Sequence, residues 1–308
     1  LYSAPTEYEG LHLWYNATMF QKYGWTPPAT YEELVSLCKD IQGHGVLPFA
    51  AGFSDCKACW EWWHTYAFNA TLGTKALYQV LTGEQPWTIP ECATALEKLK
   101  ALWDQDFIAK KQADALSGNS SLALWGQQKA AMYLQGTWGF STVDQYAKGW
   151  DYGVARLPMW SSEPAAIPIG IGEVDAINPS SKYLDAAEQL LDYITAPPSS
   201  QAAGQIIANI KSVWIPCVAI QASDLPAGTD PRFSKTLVEL QTAMQDGSAG
   251  YVAWSAWPSK TESYMWENLD SVLLGQLSIP SFLSQAQQVF AKEKSSGDLP
   301  TVPKPLGV

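Results

Sequence analysis

Charge is scarce in this 308-residue chain and leans one way. Only 16% of residues are charged, and 30 Asp and Glu stand against 19 Lys and Arg, a net charge of −11. Nucleic-acid binding needs clustered basic side chains to displace counterions; no such cluster occurs, so that class is excluded. The same charge disfavours anionic ligands unless a local basic pocket overrides it. No apolar run reaches the roughly 18 residues that would span a bilayer. Histidine is confined to His12, His44 and His64, scattered and read as structural or exposed. No G-x-S-x-G elbow, phosphate loop or H-E-x-x-H is present. What remains is a chain with 47% hydrophobic residues, folded rather than disordered and long enough for a large core and two lobes.

Cysteine is also sparse. Cys38, Cys92 and Cys217 stand alone, and Cys56 with Cys59 forms a single C-x-x-C. Zinc would want a second spaced pair, and a thioredoxin-like site would want a strand before the motif rather than Asp55 and a run of tryptophans after it. Two states stay open: a local disulfide stiffening the aromatic loop, which is favoured, and free thiols.

The stretch Glu9 to Gly43 reads EGLHLWYNATMFQKYGWTPPATYEELVSLCKDIQG. Leu11, Leu13 and Tyr15 alternate with His12 and Trp14, the period of a strand, and Asn16 breaks it. Residues 17–23 fit a short helix stopped by Gly24, and Pro27-Pro28 force an extended link. Thr30 and Glu33 form a capping box before Leu34, Cys38 and Ile41 at helical spacing, with Gly43 as the stop.

That order resembles the type 1 extracellular solute-binding proteins of ABC importers, in the sugar-binding branch that includes maltose-binding protein. The elements that match are Tyr15-Asn16, Phe20, Gly24, Pro27-Pro28, Thr30-Tyr31 and Glu33-Leu34. Further along, Gly126 to Met132 and Gly136-Thr-Trp138 resemble the family's G-x-x-A-M-x-x-x-G-x-W element, with two extra residues after the first glycine. Gly170 and Gly172 followed by Ala176-Ile177-Asn178, Ala186-Ala187 and Gln201 resemble its crossover strand and next helix. Trp266 to Gly275, Ser278 and a helix ending near Phe290 resemble its C-terminal helical hairpin.

The resemblance implies an α/β, two-lobed periplasmic-binding-protein-like clamshell of type II, with its N-terminal lobe incomplete in this sequence. Residues 1–10 would be a hinge strand and remnant of that lobe, 11–168 the first part of the C-terminal lobe, 169–250 the crossover and partial N-terminal lobe, and 251–308 the second part of the C-terminal lobe. Family members carry roughly a hundred further residues upstream, so a fragment of a longer chain is expected; the alternative is a second chain that supplies the segment. No leader or lipid-attachment cysteine opens the sequence. The resemblance implies a monomer in the periplasm or outside the cell, anchored by lipid through an upstream segment, that hands its solute to the importer's membrane subunits. It implies no cofactor, metal or nucleic-acid partner, and no catalysis.

Fifteen tryptophans point to the ligand. A sugar has an apolar C–H face and a hydroxyl rim, which flat rings beside carboxylates suit. Trp14, Trp103, Trp125 and Trp214 sit in periodic or apolar surroundings and are assigned to the core. Trp60, Trp62, Trp63, Trp138, Trp254, Trp257 and Trp266 lie at element ends or in loops and are candidates for stacking; the resemblance adds weight to Trp138 and to the Trp60 to Trp63 group. Glu9 matches a hinge carboxylate of maltose-binding protein that accepts hydroxyl hydrogen bonds, with a solvated carboxylate as the alternative. Glu61, among the tryptophans, and Glu173, in the glycine crossover, are the other candidate acceptors. Gly170 and Gly172 either let backbone approach the ligand or merely kink a strand. The expected ligand is a neutral mono- or oligosaccharide, the rivals being a cationic solute or peptide and a carbohydrate-active enzyme using a pair such as Glu9, Glu61 or Glu173.

Outside these motifs, Pro90 is expected to start a helix with Leu96, Leu99 and Trp103 inward, and 151–158 and 167–178 to be strands. Residues 180–195 are expected as an amphipathic helix with Leu184, Ala187, Leu191 and Ile194 inward. Residues 224–231 and 247–259 read as loops.

Overall fold

A computed structural model of the protein describes residues 3–54, 59–110, 118–195, 215–217, 219–220 and 222–306. Its strands are β1 (Ser3–Asn16), β2 (Leu47–Ala50), β3 (Ala130–Gly136), β4 (Tyr152–Ala155), β5 (Ile167–Ala176) and β6 (Ala249–Tyr251). Its helices are α1 (Ala17–Tyr23), α2 (Tyr31–Gly43), α3 (Cys59–Leu81), α4 (Pro90–Asp104), α5 (Gly118–Gly126), α6 (Leu184–Thr195), α7 (Pro231–Asp246), α8 (Ala253–Ala256), α9 (Ser259–Leu273) and α10 (Ile279–Ser296).

The fold is organised along β1, whose partners change halfway. Ser3 to Gly10 pair antiparallel with β5, whereas Leu11 to Tyr15 pair with β3 and Leu13 to Asn16 with β4. Parallel strands flank this set, β2 beside β3 and β6 beside β5, giving a mixed sheet ordered β2-β3-β1-β5-β6. The alternation seen in the sequence separates two cores rather than a core and a solvated face. Leu11 and Leu13 join the apolar cluster under α2, α3, α4, α9 and α10. Trp14 turns to a second cluster, stacked on Tyr152 at 5.4 Å and tilted against Phe140 at 4.6 Å, with Phe233, Leu237 and Leu240 of α7.

Local signals hold well. Asn16 caps α1 by accepting the Met19 N–H at 2.8 Å, and Gly24 closes it at φ 73°. Thr30 accepts the Glu33 N–H, while the Glu33 carboxylate reaches the Ala29 amide at 2.7 Å, one residue earlier than a standard box. α2 runs through Gly43, and the left-handed turn falls on Gly45, φ 74°. Pro90 opens α4, which buries Leu96, Leu99 and Trp103. Ser278 caps α10, and Gly275 turns the helical hairpin at φ 75°.

Two expectations need correction. Residues 247–259 are not a loop, for they contain β6 and α8. β6 is too short to show a period, and α3 holds it: Asn69 donates Nδ2–H to the Tyr251 carbonyl and accepts the Tyr251 N–H, both at 2.8 Å, while Thr65 Oγ1 accepts the Ala253 N–H at 3.1 Å. α6 starts at Leu184 rather than residue 180, because Asn178 and Ser181 side chains capture the Ser180 and Tyr183 amides in turns. Ala187, Leu191 and Ile194 are half-buried there, but Leu184 is exposed. No helix among the described residues is long and apolar enough to cross a membrane.

Candidate functional site

α3 sorts its own tryptophans. At about 100° per residue, positions 60 and 63 share one face and position 62 falls on another. Trp60 stacks on Phe53, centroids 3.5 Å apart and 8° from parallel, and Trp63 sets its edge to Phe49 at 5.3 Å. Each is 2% exposed. Trp257 is equally enclosed, between His64, Phe68 and Trp87. Trp60, Trp63 and Trp257 are therefore core residues rather than platforms, and Trp14, Trp103 and Trp125 are core as expected. Trp214, Asp55 and Cys56 lie outside the described residues, so the Cys56–Cys59 pairing does too; Cys59 itself is buried at the head of α3.

The remaining four candidates are half-buried, and three of them come together. Trp62 leans on Trp138 at 5.3 Å, and Trp138 sets an edge to Trp254 at 5.7 Å, making a continuous row. Trp138 follows β3 in a single 3₁₀ turn, and its ring folds back over Gly136. A β-carbon at residue 136 would stand 1.9 Å from that ring, which explains the glycine two residues before the tryptophan. Trp266, on α9, donates its indole N–H to Glu262 Oε2 at 3.2 Å.

Glu262 was missed in the sequence, although its i, i+4 spacing to Trp266 was a usable signal. Its carboxyl is buried, as is that of Glu61 on α3, and the two interact electrostatically. Burial, and then the partner's negative charge, pushes the Glu61 carboxyl far above the usual range; burial also raises Glu262. Glu9 lies next in this chain of acids, raised to about 7 by burial and by Glu173, and it acts in turn on Glu61. Glu7, two residues earlier on β1, is raised to about 7 by burial, Glu9 and Glu173. Carboxyls from β1, β5, α3 and α9 thus act on one another, and the one on α9 bonds Trp266.

The crossover glycines serve the protein's own side chains. Pairing of β1 with β5 slips twice, skipping Thr6 on one strand and Gly172 on the other. At Gly172 a β-carbon would fall 2.1 Å from Glu9 Cδ, so the glycine makes room for that carboxylate. At Gly170 it would fall 2.1 Å from Ser255 Oγ, which accepts the Ile171 N–H at 3.2 Å. Gly170 lines a separate cavity of about 400 Å³, which Tyr251, Pro303 and Leu306 help enclose and which contains none of the tryptophans or carboxylates.

Histidine contributes nothing to this site. Burial lowers His12 to about 4 and His64 to about 3, the first bonded to the Gly10 carbonyl and the second packed on Trp257; His44 is exposed. Among the described residues no three His, Cys, Asp or Glu side chains are grouped as a metal ion would need.

A mixed sheet crossed by two long strands and flanked by helices is the α/β architecture of solute-binding proteins. The chain belongs to the family of bacterial extracellular solute-binding proteins, whose model matches residues 2–201. It is 25% identical over 206 residues to the multiple sugar-binding protein of Streptococcus mutans, covering 65% of this chain and 49% of that one. The chain thus spans about half the length of this curated relative. Among solved structures it superposes on a chitin oligosaccharide binding protein with a TM-score of 0.78 at 19% identity, covering 96% of this chain and 72% of that one. A raffinose complex of the solute-binding protein RafE gives a TM-score of 0.73 at 16% identity, covering 96% and 73%. At such identities these likenesses concern the fold.

Proposed function

We propose that the protein is the solute-binding component of an ABC importer, working in the periplasm or outside the cell, and that it takes a saccharide. The observation that carries this reading is the row of half-buried rings Trp62, Trp138 and Trp254, with Glu61 next to Trp62 on α3 and Glu262 holding the half-buried Trp266 indole. Rings of this kind stack on pyranose faces, and carboxyls bond the hydroxyl rim. The sugar ligands named for the relative and the structural neighbours support the choice.

In this proposal β1 and β5 carry the chain between two lobes, divided near residues 10, 168 and 250, which close over the ligand by hinge motion. Calorimetry of the full-length protein against a panel of oligosaccharides, with product analysis after incubation, tests the proposal. Tight binding of one class with no hydrolysis is the expected result; hydrolysis, or no binding by any saccharide, would overturn it.

A further inference from the structure

Trp254, the last ring of the row, has no polar anchor of its own. Trp266 is tied to Glu262 through its indole N–H, but the Trp254 N–H is buried and meets no acceptor among the described residues. Its pose is therefore set by the edge contact with Trp138 and by the backbone of α8, in which it is the second residue.

A single turn such as α8 is too short to hold its own shape, and this one starts without a local cap. Its N-cap residue is Val252, whose side chain accepts no hydrogen bond. The acceptor comes from α3 instead: the fully buried Thr65 takes the Ala253 N–H on Oγ1 at 3.1 Å. Four residues along α3, Asn69 holds the Tyr251 N–H and carbonyl. Gly250 lets β6 come this near, since a β-carbon there would fall 2.2 Å from Asn69 Oδ1. One residue past the ring, Ser255 Oγ accepts the Ile171 N–H of β5 at 3.2 Å. Trp62, Thr65 and Asn69 follow one another at i, i+3 and i+7, so one face of α3 carries the first ring of the row and both clamps on the segment that bears the last.

We propose that Thr65 is a positioning residue for saccharide binding: by capping α8 from a distant helix it fixes Trp254 relative to Trp62 and Trp138. This rests on the reading of the ring row as a saccharide site. Stacking on a pyranose face rewards a ring already held in place, because the binding then spends nothing on ordering it. Without the Thr65 hydroxyl the Ala253 N–H is buried with no partner, and α8 relieves that cost by shifting, which carries Trp254 out of the row.

The test compares Thr65→Val, which keeps the shape and removes the acceptor, with Thr65→Ser, which keeps the hydroxyl. In full-length protein labelled with fluorotryptophan, the Trp254 fluorine resonance is identified by its absence in Trp254→Phe. Thr65→Val should shift or broaden that resonance while leaving those of the core rings Trp14 and Trp125 in place, and Thr65→Ser should restore the wild-type spectrum. Calorimetry with the oligosaccharide panel, raffinose and the chitin trisaccharide included, should show affinity about tenfold lower in Thr65→Val and recovered in Thr65→Ser. In a Trp254→Ala background Thr65→Val should cost no further affinity. An unmoved Trp254 resonance, or a loss that adds in full to that of Trp254→Ala, overturns the inference while leaving saccharide binding in place. Failure of every saccharide to bind the wild-type protein removes both.

Discussion

The Glu9 carboxylate fills the space that a side chain at position 172 would need, its Cδ only 2.1 Å from the site of a β-carbon there. The skipped residue in the β1–β5 ladder is thus a socket for an acid that other carboxyls already crowd. Gly172→Ala should displace Glu9, weakening ligand binding about tenfold. The stability cost should stay below about 1.5 kcal/mol, because the displaced atoms end a flexible side chain. Calorimetry and thermal unfolding of the variant check both; unchanged affinity would remove Glu9 from the site.

The tryptophans of one helix should divide by phase. Trp60→Ala opens a cavity between Phe53 and Trp103 and should cost about 3 to 5 kcal/mol. Trp62→Ala and Trp138→Ala should cost less stability and lose most of the binding. Denaturant unfolding paired with ligand titration separates the two classes, and a Trp60 variant of normal stability would contradict the assignment of that ring to the core.

Asn69 stands in for a strand neighbour of β6. Asn69→Leu keeps the bulk but strands the Tyr251 N–H and carbonyl, each worth about 1 to 3 kcal/mol when buried without a partner. The variant should be destabilised by at least about 2 kcal/mol. Hydrogen exchange at Tyr251 should rise above its neighbours in the variant; uniform exchange would mean the clamp is dispensable.

Acid and neutral pH should act in opposite senses on stability. His12 and His64 are held below their ordinary value, at about 4 and about 3, so the unfolded chain binds more protons there. Their contribution is full above about 6.5 and is lost as pH falls towards 4. Glu7 and Glu9 are raised to about 7, so the folded chain binds the extra protons and their contribution fades as pH rises from about 4.5 to 7. Unfolding titrations across this range should show the acid limb flattened by His12→Gln and the neutral limb flattened by Glu7→Gln. Parallel curves for wild type and variants would refute these assignments.

Much of the fold was readable because its signals are local. Asn16, Thr30 and Ser278 accept amides within a turn of themselves, Gly24 closes α1 in the left-handed region, and Pro90 opens α4 as its first residue. β6 was not readable, since three residues show no period and its partner Asn69 is 182 positions away. The site was half legible. Trp62, Trp138 and Trp254 form a row of rings, but composition cannot tell Trp62 from Trp60 and Trp63 without the phase of the helix. Glu262 was hidden because its partner Glu61 is brought to it by helix packing.

The ring of Trp138 lying over Gly136 ties two positions into one heritable unit. A glycine there is worth keeping only while the ring is present, and the ring can hold its pose only while the glycine stays. Replacement at 136 should therefore be tolerated in a background where 138 is already small, and not otherwise. Directed evolution of ligand choice at this wall would have to move the pair together.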